Sequence, residues 1–276
     1  MLTRTFGCVR KVYNLALQAR DEAWLSRGER ATHNASSGML TAWKRTDEFA
    51  YVNEVSCVPL QQALRHLQTA FNNFFTRRAG YPCLKSRKKS RDSAEYTASA
   101  FRWRDGRLTL AKMSERLNIV WSRRLPDGSS PSTVTVSRDG EGRWFVSMLC
   151  DDRHLRPLPP VGTAVGLDAG VASLLTLSTG EKVADPRYEE RDQRRLANAQ
   201  REPTRKQKGS NNSGKRQAKV ARIHARVADS RKDYLHKLST RLVRENQTVV
   251  IEDLAVRNQP AAQRPSVDVR LRCGAR

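Results

Sequence analysis

This chain is short of cysteine pairs, long apolar runs, aromatic residues and negative charge, and each shortage narrows what it can be. Its five cysteines, Cys8, Cys57, Cys83, Cys150 and Cys273, are odd in number and never spaced as CxxC, so they outline neither a disulfide framework nor a zinc site and read as ordinary thiols. No apolar run approaches the ~18 residues needed to cross a bilayer, and no secretory leader opens the chain. The expectation is a cytoplasmic protein with no membrane partner and an oligomeric state the sequence does not fix. Only 28 Asp and Glu oppose 51 Lys and Arg, a formal charge of +23. A compact chain so charged repels itself unless a polyanion compensates, and nucleic acid is the natural candidate.

The positive charge is clustered. Residues 187–246 hold 18 Lys and Arg against 7 Asp and Glu, and RRAGYPCLKSRKKSR, residues 77–91, holds no acid at all. Clustering of this kind suits a surface that follows a phosphate backbone and releases its counterions. The candidate contacts are Lys85, Arg87, Lys88 and Lys89 in the first cluster. In the second they are Arg205, Lys206, Lys208, Lys215, Arg216, Lys219, Arg222, Arg226, Arg231 and Lys232.

At 276 residues with 38 % hydrophobic content the chain can build two modest cores. Apolar residues at helical spacing from Leu2 to Trp24 predict an amphipathic helix, with further helices over 39–49 and from Pro59 until Gly80 stops the last. Residues 1–92 therefore read as a helical unit with a basic loop. The segments YTASAF, RLTL, LNIVW, VTVS and RWFVSMLC, separated by Asp-Gly pairs, predict an antiparallel barrel or curved sheet over 93–155. Trp103, Trp121 and Trp144 in this region offer faces for base stacking, although packing in the barrel is the simpler role for two of them.

A Pro-rich linker follows at 156–162. A second unit then spans 163–258, containing a strand at 164–167, a hairpin around Ser178-Thr-Gly-Glu181 and a basic helical segment at 187–246. The β-branched run 248–251 reads as a strand buried on both sides. His224 and His236 lie 12 residues apart on the long helix, too far for the i, i+4 pair that binds metal on a helix.

Asp168 closes the first strand of this unit and Glu252 the last. If the strands are parallel neighbours, both carboxylates reach one end of a sheet, where hard oxygen ligands suit magnesium and its chemistry on phosphodiesters.

Taken in order, RTFGCVRKVYNLAL, YPCLKSRKKS, GRWFVSML, VGLDAGV, QRRLANAQR, RKQKGS, KVARIHARVADSRKDYLHKLSTRLV and VVIEDLAV resemble the OrfB/TnpB family of insertion-sequence proteins, which is related to type V CRISPR effectors. The resemblance covers residues 1 to about 256. It implies an α+β and α/β architecture, a wedge-like β-barrel with an inserted helical recognition unit followed by an incomplete RuvC-like domain of RNase H fold. It further implies a guide RNA from the transposon end, a DNA target and cleavage dependent on magnesium or manganese, with Asp168 and Glu252 as catalytic carboxylates and metal ligands. The basic segments would then hold RNA or the guide–target duplex through its backbone.

The chain departs from the family pattern at both ends. The family's zinc ribbon and third catalytic Asp are absent, SVDVRLRCGAR around Asp268 does not match the family motif, and 259–276 reads as the tail of a frameshift in a degenerating element. The first barrel strand is missing as well. The expectation is a guided endonuclease by descent, impaired in cutting. The alternatives are a nuclease-dead guided binder that acts as a repressor, and a non-functional remnant.

Overall fold

A computed structural model describes residues 1–87, 90–122, 125, 128–151, 157–170, 172–201 and 211–252. The chain is a mixture of helices and sheets divided into two units, Met1–Leu155 and Arg156–Arg276. No helix among the described residues is long and apolar enough to cross a membrane.

In the first unit, α1 (Leu2–Arg27) buries one stripe that includes Phe6, Val9, Val12, Tyr13, Ala16 and Leu17. It ends at Gly28, whose φ of 66° lets its N–H return to the Trp24 carbonyl at 2.9 Å. The next helix, α2 (His33–Trp43), begins six residues earlier than the apolar spacing predicts, because the Thr32 side chain accepts the Ala35 N–H and caps it there. A 3-10 segment, Asp47–Glu54, leads into α3 (Cys57–Phe75). Gly80 is not what ends α3. Arg77 takes a left-handed φ of 58°, Arg77 N–H reaches the Phe74 carbonyl at 2.9 Å and Arg78 N–H reaches the Asn73 carbonyl at 2.8 Å. These two bonds close a Schellman motif with arginine in the position glycine usually takes.

Among the described residues, five strands follow in this unit: β1 (Asp92–Thr97), β2 (Phe101–Arg104), β3 (Arg107–Leu110), β4 (Pro131–Arg138) and β5 (Trp144–Cys150). The expected barrel does not close among the described residues. β1, β4 and β5 form one antiparallel sheet, while β2 and β3 form a separate hairpin turned by Asp105 and Gly106, both at positive φ. Residues 117–121, expected as a strand, join no ladder. Leu117 and Ile119 pack on the core and one bond, Leu117 N–H to the Leu108 carbonyl, ties the segment down. Helices and sheet share a single core that includes Leu60, Leu64, Leu67, Tyr96, Leu108 and Val134. Trp103 packs against this core and meets Trp121 edge-on, while Trp144 stacks on Phe6.

In the second unit, β6 (Ala164–Asp168), β7 (Leu175–Leu177), β8 (Lys182–Val183) and β9 (Thr248–Ile251) form a four-stranded sheet ordered β8-β7-β6-β9. Two helices, α4 (Tyr188–Arg201) and the 35-residue α5 (Asn211–Glu245), connect β8 to β9. The carboxy-terminal half of α5 lays Tyr234, Leu235, Leu238 and Leu242 on Val165, Leu167, Leu175 and Leu177. β9 departs from expectation in its burial. Among the described residues it is an edge strand, and Val250 and Ile251 are more than half exposed.

Candidate functional site

The parallel pairing of β6 with β9 runs Ala164↔Thr248, Val165↔Val249, Gly166↔Val250 and Leu167↔Ile251. The constant offset places Asp168 and Glu252 one position beyond the last paired rung, at the same end of two neighbouring strands. Parallel neighbours lie ~4.8 Å apart and register-matched residues share a face. Along β6, Val165 and Leu167 turn to the core while Asp168 is exposed, and Glu252 is exposed as well. The rim thus presents two hydrated carboxylates side by side. Among the described residues no group of three His, Cys, Asp or Glu is gathered closely enough to hold a metal ion, so this rim stands as a pair.

Several bonds fix the two strands. Ser178 Oγ accepts the Gly166 N–H, and the Ser178 N–H donates to the Gly166 carbonyl. On the β9 side, Thr163 Oγ1 donates to the Glu245 carbonyl at 2.6 Å, and the Thr163 carbonyl accepts the N–H groups of Gln247 at 2.9 Å and Thr248 at 3.2 Å. Arg241 reaches Glu181 in the β7–β8 turn at 2.8 Å, a bond that pushes the pKa of this guanidinium up. The Tyr234 hydroxyl donates to the Ala184 carbonyl at 3.1 Å, and burial, with Tyr188 nearby, raises its phenol. Sequence reasoning passed over Thr163 and Ser178 as supports of the rim. The only hint was the Ser-Thr-Gly-Glu turn, which marks a hairpin but not the partner of its serine.

The basic residues divide by position. Lys215, Lys219, Arg222 and Arg226 are exposed at spacings of four, three and four, so they line one face of α5 over about 16 Å. The same helical geometry puts Arg231, which is half-buried, on the opposite side, and the exposed Lys232 roughly a quarter turn from the line. In the first unit Arg87 is exposed, but Lys85 turns inward. Its ammonium lies 4.0 Å from the centre of the Tyr13 ring, and its backbone N–H and carbonyl both bond the Asn14 side chain at 2.8 Å. Burial lowers the pKa of that ammonium. Lys88, Lys89, Arg205, Lys206 and Lys208, the side chain of Arg216, and the tail at 259–276 lie outside the described residues.

Comparison with known proteins gives a consistent family. Residues 134–262 match OrfB_IS605, described as "Probable transposase", and residues 1–29, which α1 fills, match the helix-turn-helix domain of the same family. A protein of Streptomyces pristinaespiralis named "Putative RNA-guided DNA endonuclease" is 64 % identical over 257 residues, covering 93 % of this chain and 64 % of that protein. The Escherichia coli K12 protein of the same description, InsQ, is 32 % identical over 99 % of this chain and 68 % of its own length. A Mycobacterium tuberculosis relative is 27 % identical over 92 % of this chain and 62 % of its own length. The chain therefore spans about two thirds of the length of these curated relatives. A cryo-EM structure of a CRISPR-Cas12f ternary complex aligns over 100 % of this chain and 66 % of that one with a TM-score of 0.36 and 11 % identity, a likeness too loose to assign a fold. The matched segments and the extent of the InsQ match lead to one statement: the chain belongs to the OrfB/IS605 (TnpB) family of insertion-sequence proteins.

Proposed function

We propose that this chain works as an RNA-guided DNA-binding and DNA-cleaving protein of an insertion sequence, with its second unit acting as a RuvC-like nuclease domain of RNase H fold and its first as a recognition unit. The observation that carries the reading is the register of β6 and β9, which brings Asp168 and Glu252 to one rim of one sheet. The relatives' names, which describe RNA-guided DNA endonucleases, support the same activity.

The rim fits a magnesium ion in kind. Magnesium is bound through one or two carboxylates and keeps water and phosphate oxygens for its remaining positions, and Asp168 and Glu252 are two exposed carboxylates at the ends of neighbouring strands. Bound there, it would supply Lewis-acid polarisation of the scissile phosphate and acidify a coordinated water. The chain's own residues do the rest. Asp168 and Glu252 supply the negative charge that holds the ion, Ser178 and Thr163 hold the strands that carry them, and the exposed stripe from Lys215 to Arg226 holds the polyanion by its backbone.

The test is cleavage of a target plasmid by the purified chain with RNA transcribed from the transposon end. Magnesium-dependent cleavage that Asp168→Ala and Glu252→Gln abolish, with gel retardation of the plasmid kept, is the expected result. Undiminished cleavage by Asp168→Ala would remove the proposed site. Retardation without cleavage by the unaltered chain would assign guided binding alone.

A further inference from the structure

The helical unit contains a cavity of about 700 Å³ that the cleavage reading does not use, within the size range of small-molecule sites. Its wall is aromatic and open to solvent, with Trp24 54 %, Phe75 56 % and Tyr81 48 % exposed. Rings of this size are normally buried, and here they are held rigid without being covered. Phe75 stacks on the buried Phe71 at 6.2 Å between centroids, and Tyr81 meets Phe71 edge-on at 5.6 Å and Phe74 at 5.1 Å. The Tyr81 hydroxyl donates to the Asp21 carboxylate, and burial together with that bond pushes the phenol up to about 12.

The polar groups of the cavity point to its ligand. The Arg30 guanidinium lies 5.0 Å from the centre of the Phe75 ring and 5.9 Å from that of Trp24, a cation layered against two exposed π faces. Beneath them Arg20 is fully engaged. It lies over Phe71 at 5.1 Å and donates to Ser36 Oγ at 3.0 Å and to Gln68 Oε1 at 2.9 Å, which fixes α1, α2 and α3 around the cavity. His33 lines the same space, and its Nε2 is buried with no hydrogen-bond partner. A buried polar atom left unpaired costs free energy, so a native structure holding one calls for a ligand or another cause. Glu29, the acid beside the cavity, is engaged with Arg27 at 3.0 Å, and the unit as a whole carries 26 Lys and Arg against 15 Asp and Glu.

We propose that the cavity framed by Trp24, Arg30, His33, Phe75 and Tyr81 takes one unstacked base from a single-stranded stretch of bound nucleic acid. The base stacks on the exposed rings, its edge meets His33 once the imidazole turns its covered Nε2 toward the cavity, and Arg30 faces the flanking phosphate. Aromatic rings with an interleaved arginine accept any base by its π face, and the single imidazole nitrogen adds a limited choice of edge. The inference rests on the nucleic-acid reading above but concerns the first unit alone.

A single-stranded oligonucleotide carrying one 2-aminopurine, moved stepwise along the strand, tests it. The expected result is quenching of the fluorophore at one step, abolished in Trp24→Ala/Phe75→Ala together with about tenfold weaker binding, the scale of one lost base–aromatic stack. Both rings are more than half exposed, so the circular-dichroism melt of that variant is expected to match the parent. His33→Ala is expected to weaken binding of some bases more than others. Quenching at no step, or quenching that survives the double substitution, overturns the assignment. Lys219→Ala/Arg222→Ala/Arg226→Ala separates the two readings. It is expected to lower affinity while leaving the quench intact at saturation. Failure of the unaltered chain to bind any strand would overturn the nucleic-acid reading and this one with it.

Discussion

Gly166 and Ser178 bond each other twice: the Gly166 N–H donates to Ser178 Oγ at 3.0 Å, and the Ser178 N–H donates to the Gly166 carbonyl at 2.9 Å. The serine hydroxyl thereby replaces a backbone carbonyl just past the end of β7 and extends the pairing of β6 by one position toward its start, behind the rungs that already join Leu167 to Leu177 and Asp168 to Thr176. Ser178→Ala is expected to cost about 1 kcal/mol in urea denaturation, the usual worth of one such bond, and to speed amide exchange at Gly166. Unchanged exchange there would show that water replaces the hydroxyl without loss. The two nearby glycines should respond differently to alanine. A Cβ on Gly166 would meet Ser178 Cβ at an ordinary 3.5 Å, whereas one on Gly170 would press to 3.2 Å on the Ser173 carbonyl. Gly170→Ala is therefore expected to be the more damaging of the two.

Arg77 occupies the left-handed position that closes α3, with φ at 58°. A side chain there costs roughly 1 kcal/mol that glycine avoids. Arg77→Gly should raise stability by up to about 1 kcal/mol, visible as a higher melting temperature of the first unit. A lower melting temperature would mean that the arginine side chain makes a contribution larger than its backbone strain.

Asp139 organises the β4–β5 turn. Its carboxylate accepts the N–H groups of Glu141 at 3.0 Å and Arg143 at 2.8 Å, and the Arg143 Nε at 2.7 Å. Burial acts to raise its pKa, but the hydrogen bonds and the charge of Arg143 outweigh it, and the folded value lies below the ordinary 3.8. A depressed carboxylate stabilises the fold fully above its unfolded pKa, about 4, and the contribution disappears as pH falls through the lower folded value. The stability gap between the parent and Asp139→Asn should thus be constant near neutrality and close as the pH drops below about 4. A gap that persists to pH 2 would assign the turn's stability to hydrogen bonding alone.

The α5 stripe is expected to act through counterion release. Each of Lys219, Arg222 and Arg226 that contacts a duplex phosphate adds about 0.9 to the slope of log affinity against log salt. The triple alanine variant should flatten that slope by about 2 to 3 in a salt titration, equally for cognate and unrelated DNA. A slope that does not change would place the phosphate contacts elsewhere on the chain.

Much of this arrangement was written in local patterns. The helical spacing from Leu2 announced α1, the Asp105-Gly106 pair announced the β2–β3 hairpin, and the apolar runs ending at Asp168 and Glu252 announced the two strands whose pairing forms the rim. What escaped was decided by partners far away in the chain or by single atoms. Leu117 and Ile119 have strand-like residue types but only the single bond from Leu117 N–H to the Leu108 carbonyl beside β3, so they pack on the core without a ladder. The start of α2 was set by the Thr32 cap and the end of α3 by the backbone of Arg77, neither of which hydrophobic periodicity can register. β9 looked like a fully buried strand because Val and Ile serve edge strands as well as central ones. The aromatic cavity left no trace in spacing, since Trp24 and Tyr81 lie 57 positions apart and meet only through the helices between them.

At 35 residues α5 is a rod about 52 Å long. Its near end is clamped to the sheet, while its far end carries the cations outward. Only Asn246 and Gln247 separate the last turn from β9, and Thr163 ties both sides of that junction to β6. A helix end anchored this tightly leaves the chain almost no freedom where it enters β9, so the position of Glu252 at the rim is set by how α5 seats on the sheet.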